Sequence, residues 1–311
     1  NFSYKYPYFK PGAGEHAISE KENRALLTFL YEQWNIYAII TLGPENNLSK
    51  PLKYNASGAK KRVVTSILKE DAALNKFLSG KYNKITKTKG APVSPGKGGD
   101  FFQWSYFHFG KLALSTPGWW VPTVKDSAKK ASKNKYVNYL RWAKKENIQN
   151  AFVDWTPINH PDFPNQKVEV GGIAPYKMYN PPYKMVSEIS KKHTDFIIDL
   201  AKMQANITLQ NVLVEKVSND LTRVTVDVHN SGLLPTHTQM GKRSRWLRKI
   251  KVAVKLTKKQ QLISGKEITL VTSINGDSSQ QFTWLIKGSG SIDLEAGTSH
   301  TGIDTKKINL K

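Results

Sequence analysis

The feature that most constrains this chain is a change of hydrophobic period at Asn206. Before it, apolar residues recur at helical spacing or gather in short continuous runs. After it, they alternate in β-branched stretches separated by Gly, Asn and Asp. The two periods call for different architectures, so the chain divides into an α/β part over 1–205 and a small antiparallel β-sandwich over 206–311. At 311 residues in total, each part is long enough to bury a core.

Within the first part, Ser19 and Glu22 have capping-box spacing, and Ala25, Leu26, Phe29 and Leu30 follow at helical intervals, predicting a helix over 19–33. The run Ile36 to Leu42, closed by Gly43-Pro44, reads as a parallel strand covered on both faces. A second helix is expected over 59–78, a long loop over 80–99, and a short buried strand over 111–116 that stops at Pro117-Gly118, before Trp119-Trp120. Helical patterns at 127–147 and 184–203 flank a loop rich in Pro, Gly and aromatics. The second part offers strands at 207–217, 222–229, 247–256, 267–271, 281–287 and 291–296.

Charge and motif content exclude several functions. The 47 Lys and Arg outnumber the 24 Asp and Glu, giving +23, so a polyanion partner has to be considered. Only seven of those cations are Arg, and bidentate readout of bases or phosphates favours Arg, which argues against specific nucleic-acid binding. The one dense basic run holds Lys242, Arg243, Arg245, Arg248 and Lys249; it reads as a solvated strand edge or as a site for an acidic ligand. With no Cys, thiol chemistry and Cys-bound zinc are out. None of the seven His falls in a local metal-pair spacing, and His193 with Asp195, two apart on a helix, reads as a solvated face. Gly90 to Gly98 lacks phosphate-loop spacing, no nucleophile elbow occurs, and no apolar run is long enough to span a bilayer.

Several strings, taken in order, resemble the zinc carboxypeptidase family, the carboxypeptidase A-like metallopeptidases, in a bacterial branch with an appended C-terminal β-domain. Asn1-Phe2 resembles the end of that family's Asn-Arg-Asn-Phe/Trp motif, and Ser19-Glu20-Lys21-Glu22 with Arg24-Ala25 is similar to the helix start that follows it. The segment Gly98 to Tyr106 resembles the family's Gly-Ser-x-x-Asp-Trp-x-Tyr. Trp155 to Pro161, Val168 to Gly172 and Asn180-Pro181-Pro182 are similar to later stretches of the branch. The resemblance implies that the 36–42 strand leads to the third zinc ligand and the 111–116 strand to the general-base Glu. It also implies that residues 1–205 are the second half of a mixed sheet flanked by helices.

The departures are chemical. Gly43 stands where the family places the zinc-binding His, Pro117 or Gly118 where it places the Glu, and the 90–98 loop holds no substrate-capping Tyr. The family's upstream His-x-x-Glu would precede Asn1, so an N-terminal portion cleaved, left out or supplied by another chain is expected to complete the sheet. The resemblance thus implies a degenerate member, with no metal or cofactor bound by this chain itself, although zinc would be the cofactor of an intact site. Such a member would bind a peptide or cell-wall fragment, with Asn46, Asn47, Tyr106, His108, Trp119 and Trp120 as candidate cleft residues. The alternatives are an active metallocarboxypeptidase whose ligands lie upstream or include His108 or Glu45, and a structural component of a cell-surface or periplasmic assembly. The family's branch points to the periplasm or the cell surface.

Overall fold

The computed structural model describes residues 1–7, 9–92, 98–125 and 132–310. Helix α1 spans Lys21–Glu32. The expected capping box is absent: Glu20 is the N-cap without a side-chain bond, and Ser19 Oγ turns instead to Glu20 Oε1 at 3.1 Å. Strand β1 is Ala38–Leu42 and β2 is Leu112–Thr116. They pair in parallel, Ala38 with Leu112 through Leu42 with Thr116, and form a two-stranded sheet. The β2 strand is buried throughout, whereas Leu42 at the end of β1 is exposed, so β1 is not covered on both faces along its length.

No third strand extends this sheet among the described residues; on the far side of β2 an asparagine does a strand's work. Asn47 Oδ1 accepts from Ser115 N at 2.7 Å, and its Nδ2 donates to Ala113 O at 2.9 Å. The backbone N–H groups of Asn47 and Leu48 both reach Ser115 O. Every outward polar group at these positions of β2 is thereby satisfied, as burial requires.

The helix expected over 59–78 is two helices, α2 at Ala56–Lys60 and α3 at Lys69–Thr86, and α3 occupies part of the expected loop. The apolar pattern misleads because the inward face of α3 is partly polar. Asn75 accepts from Leu52 N and donates to Asn47 O, and Asn83 donates to Ser49 O. These amides hold the irregular segment after β1 in place, work that apolar side chains could not do. Helix α4 is Phe101–Phe107, capped by Asp100, whose Oδ1 accepts from Gln103 N at 2.6 Å. Helix α5 is Lys135–Lys145. Residues 93–97 of the expected loop, and 127–131 of the helix expected from 127, lie outside the described residues.

The segment expected to be loop contains an antiparallel hairpin, β3 (Phe152–Ile158) with β4 (Val168–Ile173). Helix α6, Tyr183–Met203, then leads into the β part. That part is built of β5 (Ile207–Ser218), β6 (Leu221–Asn230), the short helix α7 (Gln239–Ser244), β7 (Ile250–Lys255), β8 (Gln261–Ser264), β9 (Ile268–Val271), β10 (Ser278–Lys287), β11 (Gly290–Thr298) and β12 (Gly302–Leu310). Two four-stranded sheets, β5-β6-β10-β8 and β12-β11-β7-β9, are antiparallel throughout and form the expected sandwich. Val224, Val226, Val228, Ile250, Trp284, Ile286 and Leu294 fill its core, each large aliphatic contributing roughly 1.5–3 kcal/mol by burial. Among the described residues no helix is long and apolar enough to cross a membrane.

The two parts meet along an interface centred on α7. Asp71 of α3 accepts from Gln239 N at 2.7 Å, Met240 N at 2.9 Å and Tyr106 Oη at 2.6 Å, so one buried carboxylate ties α3, α4 and α7 together. Gly110 and Gly241 allow the backbones to touch: a Cβ on Gly241 would lie 2.7 Å from Gly110 O. Tyr37 Oη donates to Pro235 O at 2.8 Å. The rings of His237 and His300 sit edge to face, 4.8 Å apart and buried, with Lys111 nearby.

Candidate functional site

Because β1 and β2 run parallel and in register, their C-terminal ends finish at one level. Gly43 N donates to Thr116 O at 3.1 Å, so Gly43 lies beside Pro117 and Gly118. Gly118 has φ +73°, and a Cβ there would meet nothing closer than Leu42 Cδ2 at 3.6 Å. Backbone conformation, more than space, therefore favours glycine at that position. Gly43, Pro117 and Gly118 themselves carry no metal ligand or proton acceptor, while Glu45 Oε2 lies 3.1 Å from where a Cβ on Gly43 would stand and His193 Nε2 lies 2.8 Å from Gly118 O. Among the described residues no three His, Asp or Glu side chains converge, so those residues do not make up the ligand set of a catalytic zinc.

Beyond the strand ends opens a cleft of about 320 Å³, walled by the end of α3, the chain after β2 and one face of α6. Trp119 and Trp120 lie in it, and Trp120 Nε1 donates to Lys89 O at 2.9 Å. His193 Nε2 donates to Gly118 O at 2.8 Å, which fixes that tautomer, and its ring lies 5.8 Å from that of Tyr82. Tyr82 Oη in turn shares a hydrogen bond with Thr116 Oγ1 at 3.0 Å. Lys87, Lys89 and Lys192 supply positive charge, Lys192 being paired with Glu188 at 2.6 Å, and among the described residues no carboxylate lines the cleft. The arrangement can hold an anionic group against two indole rings.

The six candidate cleft residues separate here. Trp119 and Trp120 reach the cleft. Asn47 is the strand substitute of β2, and Asn46 is structural too, bonding Pro92 O and Ser49 N. Tyr106 accepts from Leu68 N and donates to Asp71; burial, the nearby Asp71 charge and that hydrogen bond all raise its phenol far above the ordinary value. His108 is exposed at the end of α4, edge-on to Tyr4. Glu45 lies in the turn after β1, with its carbonyl accepting from Ser115 Oγ.

Sequence reasoning missed His193, and the signal for it was present. Ile189, His193, Phe196, Leu200 and Met203 recur at the spacing of one helix face, and Phe196, Leu200 and Met203 are buried in the α/β core. Read on that stripe, His193 faces inward; pairing it with Asp195 hides this.

The basic run is largely exposed, as a solvated edge would be, and three of its cations, Lys242, Arg243 and Arg248, also reach across to the first part. Arg243 donates to Ala59 O at 2.8 Å and Lys61 O at 3.2 Å, capping the C-terminal end of α2. Lys242 bridges to Glu70 at 3.2 Å, and Arg248 lies 4.2 Å over the Trp34 ring, which also stacks on Trp246. Arg245 adopts φ +61° as the C-cap of α7.

A family model described as a domain of unknown function, DUF8731, matches residues 206–309. No curated protein matches the chain. Among solved structures, the GAE domain of GGA2p from Saccharomyces cerevisiae is similar over 34% of this chain and 97% of its own, at 12% identity and a TM-score of 0.23. The β-glucosidase DesR from Streptomyces venezuelae is similar over 34% of this chain and 15% of its own, at 16% identity and a TM-score of 0.19. For the GH3 β-glucosidase of Bifidobacterium adolescentis the corresponding values are 34%, 17%, 16% and 0.19.

Proposed function

We propose that this chain is a carboxypeptidase-like protein that binds peptides without cleaving them, at the cleft beyond the ends of β1 and β2. The observation that carries the reading is the parallel register of those strands, which sets Gly43 against Pro117-Gly118 at the mouth of a lysine- and tryptophan-lined cleft. The carboxypeptidase likeness itself rests on the motifs of the chain and on this pairing of the two strands that the resemblance singles out. A free C-terminal carboxylate fits the positive lining, and the indoles suit an apolar or aromatic last residue. Completion of the sheet by further polypeptide is supported by the absence of a third strand beside β1 among the described residues. Placement in the periplasm or at the cell surface belongs to the same proposal.

Isothermal titration with a pair of acidic peptides, one with a free C-terminus and one amidated, tests the reading. Saturable binding of the free acid that weakens at least severalfold on amidation supports it, and equal or absent binding defeats it. The hairpin favours a second reading, an assembly role. Phe152, Val153, Trp155 and Ile158 of β3 are all exposed, an unusual apolar display for a strand in water.

A further inference from the structure

A cavity of about 20 Å³ lies where the two parts of the chain meet, lined among others by Tyr37, Lys111, Thr236, His237, Trp246 and His300. One water needs roughly 10–15 Å³ of such space, so the cavity has room for a single water-sized body but not for a phosphate. Lys111 Nζ makes no hydrogen bond or ion pair among the described residues and lies 5.5 Å from the centre of the Phe109 ring. Its charge depresses both His237 and His300, which places it close to them. Neither imidazole can serve it as an acceptor, because all four ring nitrogens are engaged, on Thr236 Oγ1, Arg248 O, Thr298 Oγ1 and Thr236 O. Among the described residues no carboxylate lines the cavity, and Lys242 adds further positive charge beside His237. Burial lowers the Lys111 ammonium to about 8 with no carboxylate opposing the shift, so at pH 7 most of it still carries its charge.

We infer that this cavity is a halide site that takes one chloride ion against the Lys111 ammonium. A charge drawn out of water calls for a counter-charge, and other lysines of the chain find one: Lys242 has Glu70, while Lys251 and Lys255 share Glu295. Lys111 has no such carboxylate. A water molecule would solvate its ammonium without offsetting the charge, whereas the potential focused between low-dielectric walls draws in an anion small enough to enter. Trp246 lines the same cavity, and its indole N–H, which donates to no described residue, is a second donor there. Lys111 stands at the entry to β2, and His237 and His300 belong to the second part, so the ion clamps the two parts at their junction. The site stands on its own geometry, independently of the peptide cleft.

Thermal unfolding of the full chain in sodium chloride and in sodium gluconate of equal ionic strength, whose anion is too large for the cavity, tests the inference. Lys111→Met and Lys242→Met are measured alongside. With half-saturation at about 10 mM and chloride at about 300 mM, binding raises the melting temperature of the wild type by ~3 °C beyond the change seen in Lys111→Met. Subtracting that variant cancels the general effect of the salts, since it keeps the aliphatic stem and loses the ammonium. Lys242→Met, which removes a neighbouring positive charge from outside the cavity, should retain the chloride increment. Crystals grown in sodium bromide give a readout that needs no variant, an anomalous peak within hydrogen-bond reach of Lys111 Nζ. Equal chloride effects in the wild type and Lys111→Met, an increment lost equally in Lys242→Met, or no bromide peak beside Lys111 overturns the inference.

Discussion

Lowering the pH from 7 to 5 is expected to destabilise the protein through two imidazoles at the interface. His237 Nε2 donates to Arg248 O at 3.0 Å and His300 Nε2 donates to Thr236 O at 3.0 Å, so each ring is held as a neutral tautomer. Burial pushes the pKa of His237 down to about 3, helped by the neighbouring His300, and burial together with Lys111 pushes that of His300 down to about 4. Below the unfolded value of about 6.5, the unfolded chain therefore binds more protons than the folded one, and stability falls as pH falls toward those two values. Between pH 7 and 5 each ring forfeits about 1.8 kcal/mol, so the pair gives an upper limit near 4 kcal/mol. At about 2.1 cal/mol/K of unfolding entropy per residue, this corresponds to ~6 °C in melting temperature. Asp71, whose carboxyl is raised chiefly by burial, works in the opposite sense. The assay is thermal or urea unfolding at both pH values for the wild type and for His237→Gln/His300→Gln. The double variant should lose most of the pH slope; identical slopes in the two proteins would refute the reasoning.

Other changes have separable effects. Asp71→Ala leaves the Tyr106 hydroxyl and two N–H groups of α7 buried without a partner, and should cost about 3–5 kcal/mol in urea unfolding. Asn47→Ala unpairs both edge groups of β2 that its side chain serves and should cost about 2–3 kcal/mol in the same assay. Arg243→Ala should lower stability by about 1–2 kcal/mol through the two lost carbonyl contacts, with little change in retention on a heparin column, because that guanidinium is already engaged. A large loss of heparin retention would restore the open anion-site reading of the run.

What the sequence reveals follows what each residue does physically. The sandwich is legible because alternate residues such as Val224, Val226 and Val228 face one core, which imposes a period of two. The two parallel strands are legible as short apolar runs, since Leu112 to Leu114 are buried on both faces. Helix α3 is obscured because Asp71, Asn75 and Ser79 are buried on its inner face, in positions that an apolar stripe would fill. The β3–β4 hairpin is obscured for the opposite reason, since no buried face enforces alternation on β3. The interface role of residues 242–248 depends on the carbonyls of Ala59 and Lys61, far away in the chain, and no local pattern announces such partners. Trp119 and Trp120 stand out in the sequence only because they follow the Pro117-Gly118 stop of a short apolar run, β2 ending at Thr116.

The central claim, a cleft at the strand ends that holds a peptide without hydrolysing it, is tested most directly by mass spectrometry. The protein is equilibrated with a small excess of zinc and incubated with the free-acid peptide that it binds, with and without chelator. An intact peptide is expected in both samples, since Gly43 and Pro117-Gly118 offer neither a ligand nor a base. Chelator-sensitive loss of the C-terminal residue would contradict it and place the ligands and base elsewhere in the protein.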